Sequence, residues 1–252
     1  MKHFVLFITI LQLAACRQEP TALRSIEGKQ LPVSAEITPV DSIDLFIKPY
    51  RERVNAVLDS VLAYAPNTLT TRDGQYNTSE GNLMADILLT QARPIFKMRT
   101  GNEVDFALLN AGGIRSIISQ GPVTARTAFE VMPFENAIVV VAIKGKSVRD
   151  LVSFLVDSRR PNPISGMKIV LDQNGGLESV SIGGQPFDEN KTYHLATIDY
   201  LLAGGDDMSF LKENSGITAL DYLLRNAMID YFKKTDTLRA AVDDRFIKRS
   251  AK

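Results

Sequence analysis

The run "AIVVVAIK", residues 137–144, constrains the fold more than any other stretch of the chain. β-branched side chains dominate it, and their restricted χ1 angles suit a pleated strand better than a helix. It reads as a buried strand. Val104 to Leu109 is a second short apolar run of the same kind, and "MKIVLD", "LESVSI" and "YHLATI" are three more. A Gln-Asn-Gly-Gly turn joins the first two of those three.

Between the strands the period changes to that of a helix. From Asp41, the residues Ile43, Phe46, Ile47, Tyr50, Val54, Val57, Leu58 and Val61 fall on one helical face, with Pro49 as a kink or late start. A polar loop over 66–78 contains Arg72, Asp73 and Gly74, after which Ser79 is expected to cap a helix buried through Leu83, Met84, Ile87 and Leu88. Lys146 to Val156 is helical, and Ile217 to Phe232 is expected to be a closing amphipathic helix. Helices and strands alternate without a strict βαβ rhythm. Mixed α/β layers over one core follow.

The chain opens with "MKHFVLFITILQLAAC", a basic residue, an apolar core and small residues before Cys16. That is the form of a secretory signal, and Leu13-Ala14-Ala15-Cys16 resembles the lipobox of bacterial lipoproteins. Residues 1–15 are therefore expected to be a signal peptide. Cys16 would be the lipidated residue, residues 16–40 a proline-containing tether, and residues 41–252 the folded domain. The implied location is the bacterial cell envelope, with membrane attachment through Cys16 alone. Beyond this start no apolar run reaches bilayer length. Equal numbers of basic and acidic residues, 29 each, give no electrostatic case for nucleic acid.

Histidine is scarce: there are two, and His3 lies in the leader, so His194 alone remains. With Cys16 the only cysteine, a two-metal hydrolase centre is not expected here, and no Gly-x-Ser-x-Gly elbow offers a nucleophile. Binding chemistry is easier to find. In "LLNAGGIRS" two glycines follow an apolar strand and set Asn110 beside Arg115, side chains suited to a polar planar group or an anion. "VMPFENAIVVV" presents Phe134 and Asn136 at a strand entrance: the aromatic is by default a core residue, and an aromatic face beside an amide is also how a base is stacked and then hydrogen-bonded. "ISGMKIV" places Gly166 before a strand. "LLAGGDDMSFL" puts a flexible loop after another, where Asp206 reads as a capping residue.

Taken in order, "EGNLMADILL", "LLNAGGIRSIISQGPVTARTAFEVMPFENAIVVVAIKGKSVRDLV", "ISGMKIVLD" and "YHLATIDYLLAGGDD" resemble the C-terminal domain of bacterial and animal 5′-nucleotidases, over about residues 41–235. The resemblance implies a four-layer α/β/β/α sandwich that binds the nucleoside part of the substrate. In that family a separate N-terminal metallophosphoesterase domain holds two metals and performs the hydrolysis. The chain is then expected to be the nucleotide-binding subunit of a split phosphohydrolase, with no cofactor and no catalytic residue of its own, and with divalent metals in a partner metallophosphoesterase polypeptide. The competing reading is a non-enzymatic nucleotide-binding or scaffold protein of the envelope with altered specificity.

By the resemblance, Asn110 and Arg115, with Gly113 between them, would hold the ribose and phosphate side. Phe134 would stack on the base, with Asn136 and the Gly166 backbone near its polar edge. Where the family has a second stacking aromatic this chain has Asp207 and Met208. Met208 is expected to pack on the base through its sulfur, or Phe210 to swing in. An arginine that the family places before the second helix corresponds to Gly74 here, with Arg72 two residues earlier.

Overall fold

The structure, a computed structural model, describes residues 23, 25–34, 36–38, 40–158 and 160–250. Cys16 and the leader lie outside the described residues. The chain divides into two compact units, residues 1–48 and 49–252. In the first, the described residues before 41 are largely without regular structure and lead into helix α1, Asp41–Leu58. The unit boundary falls beside its Pro49. Val61, expected on this helix, instead opens strand β1, Val61–Ala65.

The second unit carries the remaining elements. Helix α2, Ser79–Thr100, is capped by Thr78 rather than Ser79: the Thr78 hydroxyl accepts from Gly81 N at 3.2 Å. Ser79, one residue later, is the first helical position, and its N–H reaches Asp73 Oδ1 at 3.0 Å. Then follow β2, Phe106–Leu108; β3, Gly121–Thr124; α3, Ala125–Val131; β4, Ala137–Lys144; and α4, Gly145–Asp157. The strands β5, Ile164–Ser165, β6, Met167–Leu171, β7, Leu177–Ile182, β8, Gln185–Pro186, and β9, Thr192–Ile198, come next. A one-turn helix α5, Asp199–Leu202, precedes β10, Gly216–Leu223, then α6, Leu224–Lys234, and β11, Phe246–Lys248.

These elements build a mixed α/β fold with three sheets. The largest has the order β10-β4-β9-β2-β5, a second runs β11-β6-β7-β8, and β1 pairs with β3. Strand β4 lies inside the five-stranded sheet, antiparallel to both β10 and β9. Its residues Ile138, Val139, Val140 and Val141 are all buried. Successive side chains point to opposite faces, so four consecutive buried residues mean that both faces are covered. That accounts for a run without polar alternation. Helix α2 packs on this sheet with Leu83, Met84, Ile87 and Leu88 buried, the stripe that its period predicted.

The closing helix expected over 217–232 is half strand. Residues 216–223 pair with β4, and the helix begins only at Leu224. The helical spacing from Leu220 to Tyr231 runs across a strand-to-helix junction. The exposed sheet edge beside β4 prevailed over local period, because an unpaired row of backbone groups costs more than a few tenths of a kcal/mol of propensity.

The C-terminal segment is strapped to the start of α2. Asn77 Nδ2 donates to Asp243 O and Phe246 O, and its Oδ1 accepts from Asn82 Nδ2 at 2.7 Å. Arg245 reaches Asp86, Asp243 and the carbonyls of Asn82 and Ile164. In the first turn of α2 sits Glu80, 0% exposed, whose carboxylate oxygens find no hydrogen-bond partner among the described residues. Burial first, and the charge of Asp73 second, push its pKa up to about 8.

Candidate functional site

Three segments meet at one end of the five-stranded sheet: the turn after β2, the loop before β4, and the loop after α5. Together with Arg160 they line a cleft of about 310 Å³ formed by Asn110, Gly112, Gly113, Arg115, Phe134, Asn136, Arg160, Tyr200 and Asp206. Five of the residues singled out in the sequence, Asn110, Gly113, Arg115, Phe134 and Asn136, are therefore brought together.

Asn110, two residues beyond β2, is extended and leads into a single 3₁₀ turn, Ala111–Gly113. Neither glycine of that turn uses a positive φ; their value is close approach. A Cβ on Gly113 would lie 2.9 Å from Asn110 Oδ1, and one on Gly112 would stand 3.5 Å from both Arg160 Nη1 and Asp206 Oδ2, inside the cleft. The Arg115 backbone N–H is tied to Val131 O at 2.9 Å, and its guanidinium donates to Gly112 O at 3.2 Å. That one contact leaves most of its fork of donors for a ligand. Phe134, 42% exposed, presents its ring at the entrance of β4, and Asn136 Nδ2 lies 3.9 Å from Met132 Sδ.

Asp206 is the polar centre of the cleft. Its Oδ2 accepts from Asn110 Nδ2 at 2.7 Å and its Oδ1 from the Tyr200 hydroxyl at 3.0 Å. The hydrogen bond to this carboxylate raises the Tyr200 pKa, which keeps the phenol a protonated donor. Asp206 and Asp207 both lie in the left-handed region, φ 50° and 63°, after Gly204 at 91°. Such backbone costs of order 1 kcal/mol or more per non-glycine residue and persists where the surroundings fix it; the two contacts to Asp206 do so. Gly205 is equally constrained, since a Cβ there would stand 2.4 Å from Tyr200 Cζ. The Tyr200 ring lies directly on the Gly205 backbone.

The other expected residues lie elsewhere. Met208 is 0% exposed and packed within the hydrophobic core, so it has no face to offer a base. It follows Asp206 and Asp207, both in the left-handed region, and its side chain packs inward. Phe210 is occupied with Phe154, ring centroids 5.6 Å apart. Gly166, φ 77°, joins β5 to β6, where a Cβ would meet Asp105 O at 2.7 Å; it serves strand packing and lines a separate surface groove with Lys168 and Arg245. Arg72 is exposed in the loop before α2 and does not line the cleft. A side chain at Gly74 would strike Asn77 O at 2.0 Å, so this backbone admits no arginine there.

Sequence reasoning missed Tyr200 and Arg160 and gave Asp206 only a capping role. Tyr200 stood in plain view two residues before the Leu-Ala-Gly-Gly loop, and its spacing to the glycines was the available signal. Nothing local marks Arg160. Among the described residues no three His, Cys, Asp or Glu side chains converge to hold a metal ion; the cleft offers hydrogen bonds, two guanidinium groups and aromatic faces.

Comparison with known proteins gives a consistent picture. Residues 60–213 match the family described as "5′-nucleotidase, C-terminal domain". Protein UshA of Yersinia enterocolitica is 27% identical over 210 residues, which cover 82% of this chain and 37% of UshA. Cell wall protein Lmo0130 of Listeria monocytogenes is 27% identical over 207 residues, 73% of this chain and 26% of that protein. The crystal structure of a 5′-nucleotidase precursor from Thermus thermophilus superposes with a TM-score of 0.67 at 26% identity, covering 81% of this chain and 43% of that one. The chain thus spans less than half the length of these relatives. By the family match, the shared fold and the motifs that line its cleft, the chain belongs to the 5′-nucleotidase C-terminal domain family.

Proposed function

We propose that this cleft binds a nucleoside or nucleotide, and that the chain is the substrate-recognition subunit of a phosphohydrolase whose two-metal centre is carried by a separate metallophosphoesterase polypeptide. The observation that carries the reading is the convergence of two partly exposed aromatic rings, Phe134 and Tyr200, with two amides and two guanidinium groups around one cleft. A base needs a π-face on either side and an amide at its edge. Phe134 and Tyr200 supply the faces, Tyr200 taking the place that Met208 leaves, and Asn136 supplies the edge. Asp206 is an acceptor for sugar hydroxyls, and Arg115 and Arg160 are donors for a phosphate. The donor set suits recognition, and hydrolysis is assigned to the partner. Anchoring through Cys16 in the bacterial envelope completes the reading, supported by the form of the leader and by a relative named as a cell wall protein.

The test is calorimetric titration of the full chain with adenosine, AMP, UMP and a sugar nucleotide. Micromolar binding of at least one, weakened at least tenfold in Phe134→Ala and Arg115→Ala, is the expected result. A chain that binds none of the four, alone or with a metallophosphoesterase added, would overturn the reading.

A further inference from the structure

Arg225 is almost wholly buried, 6% exposed, at the second residue of α6. A buried guanidinium is costly unless its donors are satisfied; Nε finds no partner among the described residues, and the two terminal nitrogens are satisfied by the loop that presents Phe134. Nη1 donates to Met132 O at 3.4 Å and to Phe134 O at 3.2 Å, and Nη2 donates to Glu135 Oε1 at 2.7 Å. The guanidinium carbon lies 4.2 Å from the centroid of the Phe129 ring. One residue earlier, Leu224 N donates to Asn136 O at 3.0 Å. The start of α6 therefore holds the carbonyls of residues 132, 134 and 136, alternate positions of one short loop. Two of those three residues, Phe134 and Asn136, line the cleft.

We infer that Arg225 is a positioning residue for the aromatic platform: it touches no ligand, and it fixes the height and tilt of Phe134 by gripping that residue's own carbonyl. The inference rests on the nucleotide-binding reading of the cleft. The planar fork is what the task requires, because one group must serve two carbonyls and a carboxylate while its carbon sits over the Phe129 ring. An ammonium is a compact point charge and cannot span them. Arg225→Lys keeps the charge and loses the grip.

The experiment compares AMP with ribose 5-phosphate on the full chain, wild type, Phe134→Ala and Arg225→Lys, with melting temperatures alongside. Expected is about tenfold weaker AMP binding in Arg225→Lys, the range of one lost stacking contact, with ribose 5-phosphate unchanged. If Arg225→Lys does not fold, Glu135→Ala removes the Nη2 anchor from the exposed side and is expected to show a smaller loss with the same selectivity. Unchanged AMP binding in the folded variant, beside a clear loss in Phe134→Ala, would overturn the positioning role and leave the cleft reading standing. Equal losses for both ligands would reduce Arg225 to a structural residue and overturn it too. AMP binding that ignores Phe134→Ala would overturn both.

Discussion

Glu80 ties stability to pH in a way that can be worked through. Its folded-state pKa is raised from 4.5 to about 8, because the carboxyl is buried with no hydrogen-bond partner among the described residues and Asp73 adds negative charge nearby. An unfolded chain releases this proton near 4.5, whereas the folded chain keeps it until about 8. Between those values the folded state binds more protons than the unfolded one, so stability falls as pH rises through the window and levels off above it. At about 1.4 kcal/mol per pH unit, the ceiling on that loss is about 5 kcal/mol. For a domain whose whole stability is about 5–15 kcal/mol the effect is large. Glu80→Gln keeps the shape and the polarity and removes the titration. Near pH 5 the variant and wild type are expected to unfold at nearly the same urea concentration. By pH 9 the variant is expected to be several kcal/mol more stable, a difference of about 2 M in midpoint for a urea slope of about 2 kcal/mol/M. Other titrating groups act on both proteins and cancel in the difference. Midpoint curves that stay parallel from pH 5 to pH 9 would refute the argument, and would mean that the carboxyl finds a partner or water that satisfies it.

Three further outcomes are expected. Arg115→Ala is expected to weaken AMP binding about tenfold to a hundredfold, the range for a charged hydrogen bond of about 1.5–3 kcal/mol, with the melting temperature unmoved; unaltered affinity in titration would remove Arg115 from the site. Gly205→Ala places a Cβ 2.4 Å from Tyr200 Cζ, so the ring must leave the cleft wall and AMP affinity is expected to fall about tenfold for one lost stacking face. Equal affinity would show that Tyr200 stacks on nothing. Arg245→Met cuts the strap between the C-terminal segment and Asp86 and Asp243; both carboxylates are 42% exposed and stay solvated, so urea unfolding is expected to report a loss of about 1–3 kcal/mol, chiefly for the buried Ile164 carbonyl left unpaired, and a loss under about 0.5 kcal/mol would show the strap to be ornamental.

Much of the fold and half of the cleft are legible in the order of residues alone. β4 was legible because a strand covered on both faces has no polar residues to hide it, and α2 because a single buried stripe imposes its own period. Asn110, Gly113, Arg115, Phe134 and Asn136 were legible because each sits at the exit or entrance of a strand that could be read. The rest depends on how the chain packs. Whether residues 217–223 were helix or strand depended on the free edge of β4, which local period does not register. Met208 went to the core after two successive left-handed aspartates, and Tyr200 lines the cleft from the preceding helical turn, its ring against the Gly205 backbone; no residue identity announces either placement. Asp206 became the centre of the site through contacts with Asn110, far away in sequence, and with Tyr200 across its own loop. A hydrogen bond across 96 residues is a property of the packed chain, and periodicity carries no record of it.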